Sequence, residues 1–115
     1  MRPFKTAVTC SALAALAATA TPTLASSQWH VCRPVDVAAY ASRVHVNCAS
    51  SAAGGIRYFA VKASNPFSKS FLAIANSALV AGKSLKVMFE ASASGNSYGC
   101  KSSSCRPAQG IMIFK

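Results

Sequence analysis

Cys100 and Cys105 stand close together in GCKSSSCR, flanked by Lys101 and Arg106, and Cys32 and Cys48 lie upstream. Thiols at such spacing can bind metal, cycle between redox states, attack an electrophile or cross-link, and the compartment decides among these chemistries. The N-terminus reads MRPFK, then TAVTCSALAALAATA, then TPTLA. Two basic residues, an Ala-rich apolar stretch too short for a bilayer and a small-residue ending are the pattern of a secretory signal peptide. Cleavage is expected after Ala25, with Ala18-Thr19-Ala20 as an earlier alternative, leaving 26–115 as a single domain. The expected location is extracellular or periplasmic, and no later stretch is long enough to span a membrane.

Without residues 1–25 the chain keeps four cysteines, ten lysines and arginines, and Asp36 and Glu90 as its acids, so the net charge of +10 becomes +8. An even cysteine count in a small exported domain reads as two disulfides, which supplement a core that is marginal by itself. Three pairings are open. Cys32–Cys48 and Cys100–Cys105 are favoured, because the first pair brackets one extended segment and the second would close a tight Ser-rich turn. A structural zinc site needs a second Cys or His pair at matching spacing, which His30 and His45 do not supply. No metal or cofactor is expected.

The same residues argue against catalysis. Carboxylate chemistry needs two acids with separated roles, and Asp36 and Glu90 have no evident pairing. Serines are plentiful, yet no G-x-S-x-G elbow positions one as a nucleophile. Each histidine reads as a surface strand residue or a terminal polar residue rather than a general base. A cysteine nucleophile would need a free thiol, for which Lys101 and Arg106 supply positive charge, and disulfide formation removes it. A non-enzymatic protein is expected.

The positioning elements follow from periodicity. Across Val35–Val46 the residues alternate, with Val44, Val46 and Cys48 facing one way and Arg43, His45 and Asn47 the other. Ser50 to Gly55 reads as a loop, and Ile56–Lys62 as a central strand. Asn65 or Ser64 can cap a helix over 66–81 that begins at Pro66, carries Phe67, Phe71, Ile74, Ala75, Ala78 and Leu79 on one face, and ends at Gly82. Leu85, Val87 and Phe89 alternate inward on a strand over 84–90. A polar turn at 92–98 precedes a last strand at Gly110–Lys115. Strands around one central helix predict a β-rich α+β domain, a compact five-stranded barrel.

Tyr58-Phe59-Ala60-Val61, the helix ending in Ala81-Gly82-Lys83, the strand Leu85-Lys86-Val87-Met88-Phe89 and the cysteine segment before Gly110-Ile111 together resemble the subtilase cytotoxin B subunits. They are similar, more distantly, to the C-terminal domains of pertussis toxin binding subunits. The resemblance covers about residues 56–115. It implies an oligonucleotide/oligosaccharide-binding (OB) fold, recognition of cell-surface glycans, a homopentamer with helices 66–81 around its pore, and a catalytic toxin subunit as partner.

The scattered basic residues read either as a solvated surface or as attraction to anionic partners such as acidic glycans, lipopolysaccharide or nucleic acid. Arg43 and His45 share a strand face, which Arg57 could join from a neighbouring strand. Phe59, Phe67, Phe71, Phe89 and Phe114 are expected in the core. Packing is favoured for Trp29, whereas Tyr98 in its polar turn suits packing and sugar stacking equally. The candidate glycan-binding residues are therefore Tyr98, Arg57, Arg106, Asn96 and Arg43. The alternative function is a small basic effector or antimicrobial protein that binds anionic surfaces or nucleic acid through charge.

Overall fold

The computed structural model describes residues 27–93, 100–101 and 103–114; the expected signal peptide, Asn96, Tyr98 and Lys115 lie outside the described residues. Six strands and one helix follow in the order β1 (Ser27–Cys32), β2 (Pro34–Ala39), β3 (Arg43–Ala52), β4 (Ile56–Lys62), α1 (Phe67–Ala81), β5 (Ser84–Glu90) and β6 (Cys105–Phe114). They form one six-stranded sheet in the order β1-β5-β6-β4-β3-β2. Every neighbouring pair is antiparallel except β4 and β6, which run parallel from Tyr58 opposite Cys105 to Ala60 opposite Pro107. The two strands at the ends of this order, β1 and β2, are consecutive in the chain with only Arg33 between them.

Alternation explains which side chains enter the core. Val44, Val46 and Cys48 of β3, Phe59 and Val61 of β4, and Leu85, Val87 and Phe89 of β5 are buried together. Helix α1 covers them with Phe71, Ala75 and Ala78, which recur at the three- and four-residue steps of one helical face. Burial of a side chain the size of Phe59 or Leu85 contributes about 1.5–3 kcal/mol. Phe67 and Phe114, expected in the core, are instead only partly covered.

The ends of α1 follow local chemistry. The Asn65 side-chain oxygen accepts the Phe67 amide at 2.9 Å, satisfying a helix-start donor that has no partner within the helix. At the other end Gly82 adopts φ 66° and ψ 30°, with its amide bonded to Leu79 O at 3.3 Å and the Lys83 amide to Ala78 O at 2.9 Å. That pair of bonds is the Schellman closure, and its left-handed residue favours glycine.

The five strands expected are six. A strand over Ser27–Cys32 is absent from the expectation, because His30, Gln28 and an exposed Trp29 give it no clear alternation. The segment Val35–Val46 is a hairpin: the Tyr40 amide bonds Arg43 O, and Ala41 and Ser42 form the tip. Neither tip residue is a strong turn former, so the sequence carries no local signal for the reversal. Strand β3 runs on through Ser50 to Ala52, and only Ala53–Gly55 turn the chain, with Gly54 and Gly55 both at φ 81°. Strand β6 starts at Cys105, five residues ahead of the expected Gly110. Its Pro107 and Gly110 resemble loop punctuation, yet the parallel contact with β4 holds Cys105–Pro107 extended.

Cys32 is bonded to Cys48 and Cys100 to Cys105. The first bridge ties the end of β1 to β3, and His30 Nε2–H adds a second tie by donating to Ser50 O at 3.0 Å. No helix among the described residues is long and apolar enough to cross a membrane.

Candidate functional site

The outer face of β2, β3 and β4 carries the polar side chains that alternate with the core. The cross-strand rows are Asp36, Asn47 and Tyr58, then Ala38, His45 and Ala60, with Arg43 opposite Lys62 at the hairpin end. A one-residue bulge ends this regular pairing on β2. Pro34 lies opposite Cys48 while Asp36 lies opposite Asn47, leaving Val35 as the extra residue. Asp36 continues the regular register of Val37, Ala38 and Ala39 with Val46, His45 and Val44, so alternation from the hairpin sets its face, and the bulge exchanges faces only before Val35.

A cleft of about 620 Å³ opens on this face, lined by Asp36, Ala38, Tyr40, Arg43, His45, Tyr58, Cys100, Lys101 and Ser104. Its far wall is the disulfide-closed turn. Ser104 O accepts the amides of Arg57 and Tyr58, both at 3.0 Å, so the Cys100–Cys105 staple fixes Lys101 and Ser104 against β4. The cross-link therefore shapes a wall of the cleft as well as closing a loop.

Inside, the aromatic rings are arranged around His45. Its imidazole lies 5.4 Å from the Tyr40 ring and 5.2 Å from the Tyr58 ring, centroid to centroid. The Arg43 guanidinium sits 4.3 Å over the Tyr40 ring, and its Nε–H donates to His45 Nδ1 at 3.4 Å. Because arginine only donates, this bond requires Nδ1 to be an acceptor and the ring proton to sit on Nε2. His45 is 7% exposed. Burial pushes its pKa below the ordinary 6.5, the Arg43 charge adds to that, and Asp36 opposes it. Asn47 Nδ2 donates to Asp36 Oδ2 at 3.0 Å, while Asn47 Oδ1 is buried with no hydrogen-bond partner among the described residues.

Of the residues singled out from sequence, Arg43 lines the cleft and has His45 beside it. Arg57 does not join them: it follows Ile56 on β4 and its Nε–H donates to Cys48 O at 3.1 Å. Arg106 is also held elsewhere, donating to Ala91 O and Cys105 O, each at 2.9 Å. Asn96 and Tyr98 lie outside the described residues. Trp29, expected to pack, is half exposed. Sequence reasoning misses Asp36, Tyr40, Tyr58, Lys101 and Ser104 as cleft residues. The alternation of Asp36, Ala38 and Tyr40 is the available signal for the β2 wall, whereas the approach of Lys101 and Ser104 depends on the parallel β4–β6 pairing.

A second surface has a different character. Trp29 and Val31 of β1, Met88 and Lys86 of β5, and Met112 of β6 share the outer face of the other half of the sheet. Trp29, Val31 and Met112 are all exposed there. Comparison with protein families, curated proteins and solved structures finds no match to this chain.

Proposed function

We propose that this protein is an exported, non-enzymatic glycan-binding module that resembles the binding subunits of toxins with one catalytic chain on five binding chains. The cleft carries the proposal. Two tyrosine rings, Arg43 over one of them, Lys101, Asp36 and Ser104 surround a space of the size that holds a small ligand. Aromatic faces cover the apolar faces of a sugar ring, while charged and hydroxyl groups bond its rim. Of the basic residues named from sequence, Arg43 belongs to the cleft itself. The two disulfides fit an oxidising compartment.

In the proposed architecture the sheet closes into an OB-like barrel. Consecutive strands at its two ends, the Cys32–Cys48 bridge between β1 and β3, the parallel β4–β6 pair and a helix between β4 and β5 support that closure. Counted this way β1 and β2 are one strand bent at Arg33, which restores five. The proposed assembly is a homopentamer with α1 around the pore and a catalytic chain as partner. A glycan array together with light scattering tests the proposal: selective sugar binding by an oligomer is expected, and a monomer without array hits overturns it.

The surface of Trp29, Val31, Met112 and Lys86 favours a second reading, a basic effector that docks on anionic membranes or nucleic acid. Its binding would disappear between low and physiological salt and show no sugar selectivity.

A further inference from the structure

Resting on the glycan reading of the cleft, we propose that His45 makes capture of an acidic ligand there proton-linked: a bound carboxylate or sulfate draws a proton onto the imidazole, so affinity climbs as the solution acidifies.

The surroundings of His45 give the direction. Asp36 and Tyr40 face it from β2, Arg43 from its own strand with Lys62 opposite, Tyr58 from β4, and Lys101 from the disulfide-closed turn. In the empty cleft, protonation replaces the bond from Arg43 Nε–H to Nδ1 with two facing donors. It also adds a cation beside Arg43 and Lys101, and the one carboxylate nearby already accepts from Asn47. The neutral ring is therefore the resting form near neutral pH.

An anion in the cleft reverses this balance. Placed between Arg43 and Lys101, it supplies the negative charge that the imidazolium lacks, and it accepts the Nδ1–H that protonation creates. Thermodynamic linkage then fixes the sign: if the ligand raises the His45 pKa, His45 protonation tightens ligand binding by the same factor. Affinity is flat above the bound-state pKa, rises about tenfold per unit of pKa separation as pH falls, and levels off below the free-state pKa. A neutral sugar gains nothing from the proton.

The test follows the imidazole Cε1–H resonances of His45 and His30 in the intact protein by NMR from about pH 8 to about pH 5. Titrations are run alone, with glucuronate, with inorganic sulfate and with glucose. The expected result is a higher His45 midpoint with the anions and no change with glucose. Calorimetry in buffers of different ionisation enthalpy should register proton uptake with glucuronate, and His45→Gln should abolish both the uptake and the pH dependence of affinity. Anion binding in the cleft with an unmoved His45 midpoint overturns the inference and leaves the glycan reading intact. Binding of neutral glycans alone has the same effect, whereas no sugar binding at any pH overturns both.

Discussion

At the residue scale, the cleft concentrates its chemistry in the contact among Tyr40, Arg43 and His45. Tyr40 is half exposed and contributes little to the core, so Tyr40→Ala should leave the melting temperature nearly unchanged. It removes both the ring under Arg43 and one ring of the proposed sugar platform, and glycan affinity should fall about tenfold or more, equivalent to ~1.4 kcal/mol. A binding isotherm beside a thermal melt separates the two effects. His45 itself predicts a pH dependence of stability. Its folded-state pKa is depressed, so the unfolded chain takes up the proton first. The stability due to the neutral ring is complete above the ordinary 6.5 and is lost as pH falls through the lower folded value. Urea midpoints measured across that interval should decrease toward acid, and His45→Gln should flatten the decrease.

At the element scale, Gly82 and the Val35 bulge each redirect the chain, one out of α1 and the other along β2. A Cβ at Gly82 would meet nothing within 4 Å, so Gly82→Ala carries only the penalty of a left-handed backbone, about 1–2 kcal/mol by chemical denaturation. The helix and the strand of Leu85, Val87 and Phe89 are legible in the sequence because capping chemistry and strict alternation are local signals. The bulge is not. Val35 is a good strand former, and its extrusion between Pro34 and Asp36 depends on pairing with β3, so the bulge is hidden from a reading by period, whereas the β2 wall keeps the alternation of Asp36, Ala38 and Tyr40. The strand Ser27–Cys32 is equally hidden. It is held by β5, a partner far away in the chain, and its exposed Trp29 and Val31 give no inward stripe. Arg43 and His45 of the cleft are therefore readable from one strand, while Tyr58, Lys101 and Ser104 reach it through tertiary contacts.

At the scale of the whole molecule, the two disulfides have separable roles. The Cys32–Cys48 bridge spans 16 residues and should contribute about 3 kcal/mol by restricting the unfolded chain, against about 2 kcal/mol for Cys100–Cys105, which spans 5. Replacing Cys32 and Cys48 together by alanine should thus lower the melting temperature more. Replacing Cys100 and Cys105 should instead weaken glycan binding more, because it releases Lys101 and Ser104 from the cleft wall. Calorimetric melts and binding isotherms on both double variants check this crossing of effects. The pairing of β1 with β5 has a further consequence for the life of the chain. Cys32 finds Leu85 and Ser27 finds Glu90, so an early strand lacks its neighbour until most of the polypeptide has emerged from the ribosome. Such long-range closure delays folding and leaves the β5 edge without its β1 neighbour until late in synthesis.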